Sequence, residues 1–122
     1  MTEVEFYSKL NTEVGRQYLD FIKENTVKKK SGITEVHHVF PRKLGGTNID
    51  INLVRLSVFN HCIAHVLLAK AIPCFKTLYP ILRLSRGQIQ KLTDLERITL
   101  DKVYGWSTLR EKALHSSKPR ES

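Results

Sequence analysis

The sequence predicts an α+β fold that is mostly helical, with one pair of short strands between two helical regions. Apolar residues recur at spacings of three and four across residues 3–25 and again beyond residue 88, which is typical of amphipathic helices. Between these regions, two short extended segments flank a loop that contains Gly45 and Gly46, and an apolar helix pattern follows. The middle third of the chain is therefore expected to run strand, loop, strand, helix.

The N-terminal region is predicted to be one amphipathic helix over residues 3–25. Its apolar positions are Tyr7, Leu10, Val14, Tyr18, Phe21 and Ile22, with charged residues between them. Over residues 25–32 a run of three lysines and a glycine ends this pattern, so we expect a loop there. The lysines fit a solvated turn and a phosphate-binding segment equally well.

The middle region, residues 34–72, is predicted to hold two strands and a helix. The first strand covers residues 34–40 and stops before Pro41, and the second lies in NLVRLS, residues 52–57. Ser57 is the expected N-cap of a helix that ends at Pro73.

Residues 75–115 are predicted to be helical as well. We expect a short helix interrupted by Pro80, followed by one long helix, or by two if Gly105 breaks it. Trp106 is assigned to the core, and Cys62 and Cys74 are taken as small buried apolar groups. A helix-turn-helix DNA reader in this region is not favoured.

Composition indicates one folded domain of common size with a polyanionic partner. The chain has 122 residues and 41% hydrophobic content, enough for a core. Its 20 Lys and Arg against 12 Asp and Glu give a net charge of +8, which favours nucleic acid, although simple solubility also explains such a charge.

Nothing in the sequence predicts export or membrane insertion, and we expect a cytoplasmic protein that is not secreted. The N-terminus lacks a basic start followed by an apolar run, and no apolar window approaches the roughly 20 residues that span a bilayer. The two cysteines form no CxxC pair, which argues against a disulfide framework.

Four of the five histidines lie between residues 34 and 65. On a helix, His61 and His65 are one turn apart on the same face, an arrangement that suits a divalent metal but also two half-buried core groups. His37 and His38 point to opposite faces of a strand unless it ends or bends there. Taken alone they fit two surface histidines; near the other pair, one fits a ligand and the other a base that takes a proton from water.

The stretch EVHHVFPRKLGGTNIDINLVRLSVFNHCIAHVLL closely resembles the HNH nucleases of the ββα-metal, or His-Me finger, group. It looks most like the small homing-type endonucleases of bacteriophages. The shared elements are the His-His pair, the proline, the Gly-Gly turn, the Asn-Leu and the helical His-x-x-x-His, all within residues 34–70. The resemblance implies a ββα-metal core, flanked here by N- and C-terminal helices.

The resemblance also implies residue roles. His37 and His61 become metal ligands, and His65 a further ligand or a phosphate contact. His38 becomes the general base, and Asn52 the residue that pins the loop, although a turn or strand cap would also explain Asn52. The implied cofactor is one divalent ion, Mg²⁺, Mn²⁺, Zn²⁺ or Ni²⁺, and the implied products carry a 5′-phosphate and a 3′-hydroxyl.

Three features depart from the family pattern. Asn60 stands where relatives usually have an acidic residue, the chain lacks the two CxxC pairs of many members, and His37 stands where Asp is common. The ligand set is therefore rich in nitrogen, which favours transition metals over Mg²⁺.

We predict a metal-dependent endonuclease that acts on double-stranded DNA, as a monomer or homodimer, in the host cytoplasm if phage-encoded. No small-molecule cofactor and no membrane partner is expected. The predicted DNA contacts are Arg42, Lys43, Arg55, Arg83 and Arg86, and further basic residues follow in the C-terminal third, each equally explained by a solvated helix face. The alternatives are a non-catalytic, metal-stabilised DNA-binding module, or an RNase or toxin nuclease on the same motif.

Overall fold

The computed structural model describes residues 1–27 and 32–116, and the predictions for the lysine run and the C-terminal tail lie outside these residues. The described chain is mostly helical with one two-stranded antiparallel sheet, so the α+β prediction is confirmed. Its elements are α1 (Glu3–Lys9), α2 (Glu13–Asn25), β1 (Thr34–His38), β2 (Leu53–Ser57), α3 (Val58–Ala71), α4 (Phe75–Arg86), α5 (Asp94–Lys102) and α6 (Trp106–His115).

α3 is the central element of the fold. It contacts α2, α4, α5, α6 and both strands, and buries Cys62, Ile63, Ala64, Val66, Leu67, Leu68 and Ala69. A helix that is apolar on most of its circumference must be enclosed by other elements. Ser57 caps its start by accepting a hydrogen bond from the Asn60 amide at 3.1 Å, as predicted.

The predicted single helix over residues 3–25 is wrong, because the structure contains two helices there. α1 ends at Lys9 with Leu10 as its C-cap, and Thr12 is the N-cap of α2, where its side chain accepts a hydrogen bond from the Gly15 backbone amide at 3.0 Å. The backbones of Leu10 and Gly15 lie so close that a Cβ atom on Gly15 would be 2.1 Å from the Leu10 carbonyl oxygen. This contact requires glycine and brings α1 back against the core.

The C-terminal half differs from the prediction at Pro80 and follows one of the two alternatives at Gly105. α4 continues through Pro80, since Leu78, Ile81 and Leu84 bury one face of the helix and packing outweighs the lost hydrogen bond. Gly105 does divide the last region into α5 and α6, because its φ of 73° lies in the left-handed range.

The remaining side-chain predictions for the core are met in part. Cys62 is fully buried, and burial raises the pKa of its thiol to about 12, so it stays protonated. Cys74 and Trp106 are half-buried and pack against the core. Among the described helices, none combines the length and apolar character that a membrane crossing requires.

The close contact at Gly15 leads to a stability prediction. Gly→Ala inside an exposed helix normally stabilises it, but Gly15→Ala must push α2 away from Leu10, so we expect a loss of about 1–3 kcal/mol in the free energy of unfolding. Urea denaturation followed by circular dichroism measures this. Gln17→Ala, on the exposed side of the same helix, is the control and should change stability by less than about 0.5 kcal/mol. Equal stability of the two variants would contradict the packing described.

Candidate metal centre and active site

β1 and α3 together form a cluster of histidines. Side chains alternate along a strand, so Glu35 and His37 point to the same face of the sheet, opposite Leu56 and Val54 of β2. α3 packs against that face and carries His61 and His65 one helical turn apart. The sheet and the helix therefore present three imidazoles to one another.

The three rings of His37, His61 and His65 are in mutual contact. Their centroids are 5.2 Å apart for His37 and His61, 5.0 Å for His37 and His65, and 4.7 Å for His61 and His65. One nitrogen from each ring lies within 4.8 Å of the corresponding nitrogens of the other two. Three nitrogens at this separation are a donor set that suits a transition metal ion.

Burial keeps two of these imidazoles uncharged. Burial lowers the pKa of His37 well below its ordinary value, and the repulsion that it would meet from protonated His65, His61 and His38 lowers the pKa further. Burial, and next the repulsion from a protonated His61, lowers the pKa of His65 to about 3. Neutral rings keep an unshared electron pair, so both are ready to bind a metal at neutral pH.

Tyr18 of α2 determines which nitrogen of His37 is available. The Tyr18 hydroxyl donates its proton to the Val39 carbonyl oxygen at 2.8 Å, so it accepts the hydrogen bond from His37 Nε2, also at 2.8 Å. Burial raises the pKa of Tyr18 well above its ordinary value, which keeps the phenol neutral. His37 Nε2 therefore carries the hydrogen, and His37 Nδ1 has the unshared electron pair that is available to a metal ion.

Glu35 plays the corresponding part for His61. Its Oε1 accepts a hydrogen bond from His61 Nδ1 at 2.8 Å, which leaves His61 Nε2 unprotonated. That nitrogen is 3.1 Å from His65 Nε2. Two ligands at about 2.0–2.1 Å from a tetrahedral ion are roughly 3.3 Å apart, so this spacing fits a shared metal. Carboxylate–histidine–metal arrangements of this kind orient the ligand ring.

His38 lies at the end of β1 and lines the same cavity as the other three histidines. The strand stops at His38, so His37 and His38 border one cavity although they alternate along the chain. His38 Nε2 is 2.8 Å from Asn48 Oδ1. Its Nδ1 has no hydrogen-bond partner among residues 1–27 and 32–116.

Asn52 connects the strand end to the loop that follows. Its Oδ1 accepts from the Phe40 amide at 2.7 Å, and its Nδ2 donates to the carbonyls of Phe40 at 2.9 Å and Thr47 at 2.8 Å. The Val39 amide also donates to the Asn52 carbonyl at 3.0 Å. All of these bonds are made inside the protein, so Asn52 holds the loop rather than facing a ligand.

The histidines line a cavity of about 600 Å³ that is rich in basic side chains. Arg42 and Lys43 reach it from the short 3₁₀ turn after Pro41, and Lys76, Arg83 and Arg86 reach it from α4. Among its described lining residues there is no Asp or Glu. Such a cavity attracts anions.

The other predicted basic contacts lie elsewhere. Arg55 is on β2 opposite Val36, with its Nη1 3.4 Å from Thr34 Oγ1, and does not line the cavity. Lys91 lies 3.8 Å from Glu35, and Arg97 donates to the carbonyls of Ile89 and Gln90. These three residues make their contacts within the described part of the chain, whereas Lys118 and Arg120, two further basic residues of the C-terminal third, fall outside the described residues.

Sequence reasoning did not select Tyr18, Glu35, Asn48 or Lys76 for the site. Glu35 was within reach of the strand pattern, because it stands two residues before His37 and shares its face. Lys76 reaches the cavity because α4 packs against α3, which no local pattern predicts. No local signal pointed to Tyr18, since its approach to His37 depends on how α2 packs.

The converging nitrogens predict the metal affinity of variants. His61→Ala removes one of the three nitrogen ligands. Loss of a side chain that only hydrogen-bonds to a metal ligand costs roughly 10–100-fold in metal affinity, so His61→Ala should lower the affinity for Zn²⁺ or Ni²⁺ by more than that. Isothermal titration calorimetry measures this. Glu35→Gln keeps a hydrogen-bond acceptor for His61 but removes the negative charge. The metal affinity of this variant should fall within the roughly 10–100-fold range.

His115→Ala is the matched control, because His115 is exposed on α6 and is the one histidine of the sequence outside residues 37–65. Its metal affinity should equal that of the wild type. An unchanged affinity in His61→Ala would contradict the proposed ligand set.

The lowered pKa of His65 predicts a pH dependence for the metal-free protein. The unfolded state binds a proton at this histidine below its ordinary pKa of about 6.5, whereas the folded state does so only near 3. The contribution of neutral His65 to the free energy of unfolding is therefore fully present above about pH 6.5. It falls as the pH drops below that value, by up to about 1.4 kcal/mol per pH unit. Urea unfolding between pH 7.5 and 4.5 should show a smaller slope for His65→Gln, and identical slopes would contradict the prediction.

Two curated proteins of Enterobacteria phage T4 are similar to parts of this chain. "Probable mobile endonuclease B" is 38% identical over 73 residues, which are 60% of this chain and 25% of that protein. "Probable mobile endonuclease E" is 46% identical over 39 residues, 32% of this chain and 28% of that protein. The chain thus spans about a quarter of the length of each of these relatives. No protein-family model and no solved structure matches the sequence.

Proposed function

We propose that this chain is a metal-dependent DNA endonuclease of the HNH type. The observation that carries the proposal is the arrangement of four histidines in one basic cavity: three imidazoles share a donor set, and His38 stands beside them with a free ring nitrogen. Hydrolysis of a phosphodiester needs a bound cation, a base for water and positive charge around the phosphate. The cavity contains side chains for each task.

The order of the elements supports a ββα-metal core. β1, the loop held by Asn52, β2 and α3 follow one another and carry the histidines at the positions that the resemblance implies. The phage T4 relatives bear endonuclease names and match this chain over part of their length. We extend that activity to this chain as part of the proposal.

His37, His61 and His65 are the residues that would hold the ion. When bound, a divalent cation supplies positive charge that stabilises the negative charge developing on the phosphate. An all-imidazole set favours Zn²⁺, Ni²⁺, Co²⁺ or Mn²⁺ over Mg²⁺ in affinity. Tyr18 and Glu35 keep the ligand rings oriented through His37 Nε2 and His61 Nδ1.

His38 is the proposed general base. Its Nδ1 takes a proton from the attacking water, whose oxygen bonds to phosphorus as the bond between phosphorus and O3′ breaks. A proton from solvent water completes the leaving O3′, so the products carry a 5′-phosphate and a 3′-hydroxyl. Asn52 keeps the strand end and the loop together, so the base stays at the edge of the cavity.

The basic walls of the cavity are the proposed phosphate contacts. Arg42 and Lys43 line the cavity from the turn after Pro41, and Arg83 and Arg86 line it from α4. Contacts of this kind bind backbone without reading sequence, so the affinity should depend strongly on salt. One site per chain cuts one strand, and a symmetric dimer would cut both.

The decisive experiment is cleavage of supercoiled plasmid by purified protein with Mn²⁺, Zn²⁺, Ni²⁺ or Mg²⁺, or with EDTA. We expect metal-dependent conversion to open-circle or linear DNA. His38→Ala should lower the rate by about 10²–10⁴-fold while metal affinity is retained, because only the proton acceptor is lost.

His115→Ala serves as the control and should cleave at the wild-type rate. If the wild-type protein binds metal and DNA but cuts neither plasmid nor a pool of genomic DNA, the chain is a metal-stabilised binding module. Cleavage of RNA alone would instead assign it to the ribonucleases.

A further inference from the structure

We propose that Asn48 is a positioning residue that holds the His38 ring with Nδ1 free to accept a proton. The inference rests on the proposed nuclease function and adds to it the group that orients the base. It starts from the 2.8 Å contact between His38 Nε2 and Asn48 Oδ1.

The direction of this hydrogen bond follows from its atoms. An amide oxygen can only accept, so the hydrogen must be on His38 Nε2. A neutral imidazole carries one ring hydrogen, and the unshared pair is then on Nδ1. Asn48 therefore selects the tautomer as well as the ring orientation.

The backbone around Asn48 is held against the end of β1. The backbone carbonyl of the preceding residue, Thr47, accepts a hydrogen bond from the Asn52 side chain. The backbone amide of Asn52 donates to the Ile49 carbonyl at 2.9 Å. Gly46 approaches the Phe40 carbonyl so closely that a Cβ atom would lie 1.8 Å from its oxygen. These contacts fix the position of residue 48 relative to His38.

Asn48 itself has no packing role that would explain its side chain. It is exposed, and the bond to His38 is the hydrogen bond that its amide makes among the described residues. Without this bond, the half-buried His38 ring would be freer to rotate about its side-chain torsions, and misplacement of a base by about 1 Å costs roughly 100-fold in rate.

Two substitutions at this position test the proposal. Asn48→Leu has a similar size but no acceptor, whereas Asn48→Asp keeps an oxygen at the same place. With Mn²⁺ at pH 8, we expect kcat for plasmid cleavage to fall about 10–100-fold in Asn48→Leu with KM unchanged, and Asn48→Asp to recover most of the rate. Gln17→Leu, the same type of change at an exposed site on α2, should behave as the wild type.

Nuclear magnetic resonance of the ¹⁵N-labelled, metal-free protein gives a readout that does not depend on activity. Long-range ¹H–¹⁵N correlations should show His38 protonated at Nε2 in the wild type, with mixed tautomers in Asn48→Leu. Protonation at Nδ1 in the wild type would overturn the proposal, because the amide would then be the donor.

The outcomes separate this proposal from the function on which it rests. If the wild type and Asn48→Leu cleave with the same kcat, the role of Asn48 is wrong and the nuclease stands. If the wild type cleaves nothing, the nuclease itself is wrong and Asn48 has no base to position, whatever the resonance spectra show.

Discussion

Two hydrogen bonds, one to His37 and one to His61, determine which nitrogen of each ring faces the other histidines. Tyr18 holds His37 Nε2, and Glu35 holds His61 Nδ1, so the other nitrogen of each ring is directed to the shared cluster. Without these bonds each ring would have two orientations and two tautomers, and the three-nitrogen donor set would form only a fraction of the time. The bonds come from α2 and β1, which ties the site to the packing of both elements around α3.

The same arrangement costs stability in the metal-free protein. His37 is buried, His65 lies half-buried beside it, and the lowered pKa values of both keep the two rings neutral at pH 7. A core of aliphatic residues at these positions would be more stable, which is the common relation between a functional cluster and its fold. If the three histidines hold an ion as we propose, that ion would reverse the balance, because a ligand that binds only the folded chain adds its binding free energy to folding.

The sequence predicted the order strand, loop, strand, helix and the grouping of the histidines, since both follow from local patterns and spacing. It missed the break between α1 and α2, which depends on the Gly15–Leu10 contact, and it overestimated the effect of Pro80 on α4. Tyr18 reaches His37, and Lys76 reaches the cavity, through tertiary packing, so no pattern within their own helices identifies them. Arg55 was predicted to contact DNA because it is close to the site in sequence, but its side chain does not line the cavity.

The shared metal site that we propose for His37, His61 and His65 can be observed by X-ray absorption spectroscopy of the protein loaded with one equivalent of Zn²⁺. We expect three imidazole nitrogens at about 2.0–2.1 Å from the zinc, with oxygen from solvent completing the shell. A shell with fewer imidazoles, or with sulfur at about 2.3 Å, would mean that other residues hold the metal and that the proposed ligand set is wrong.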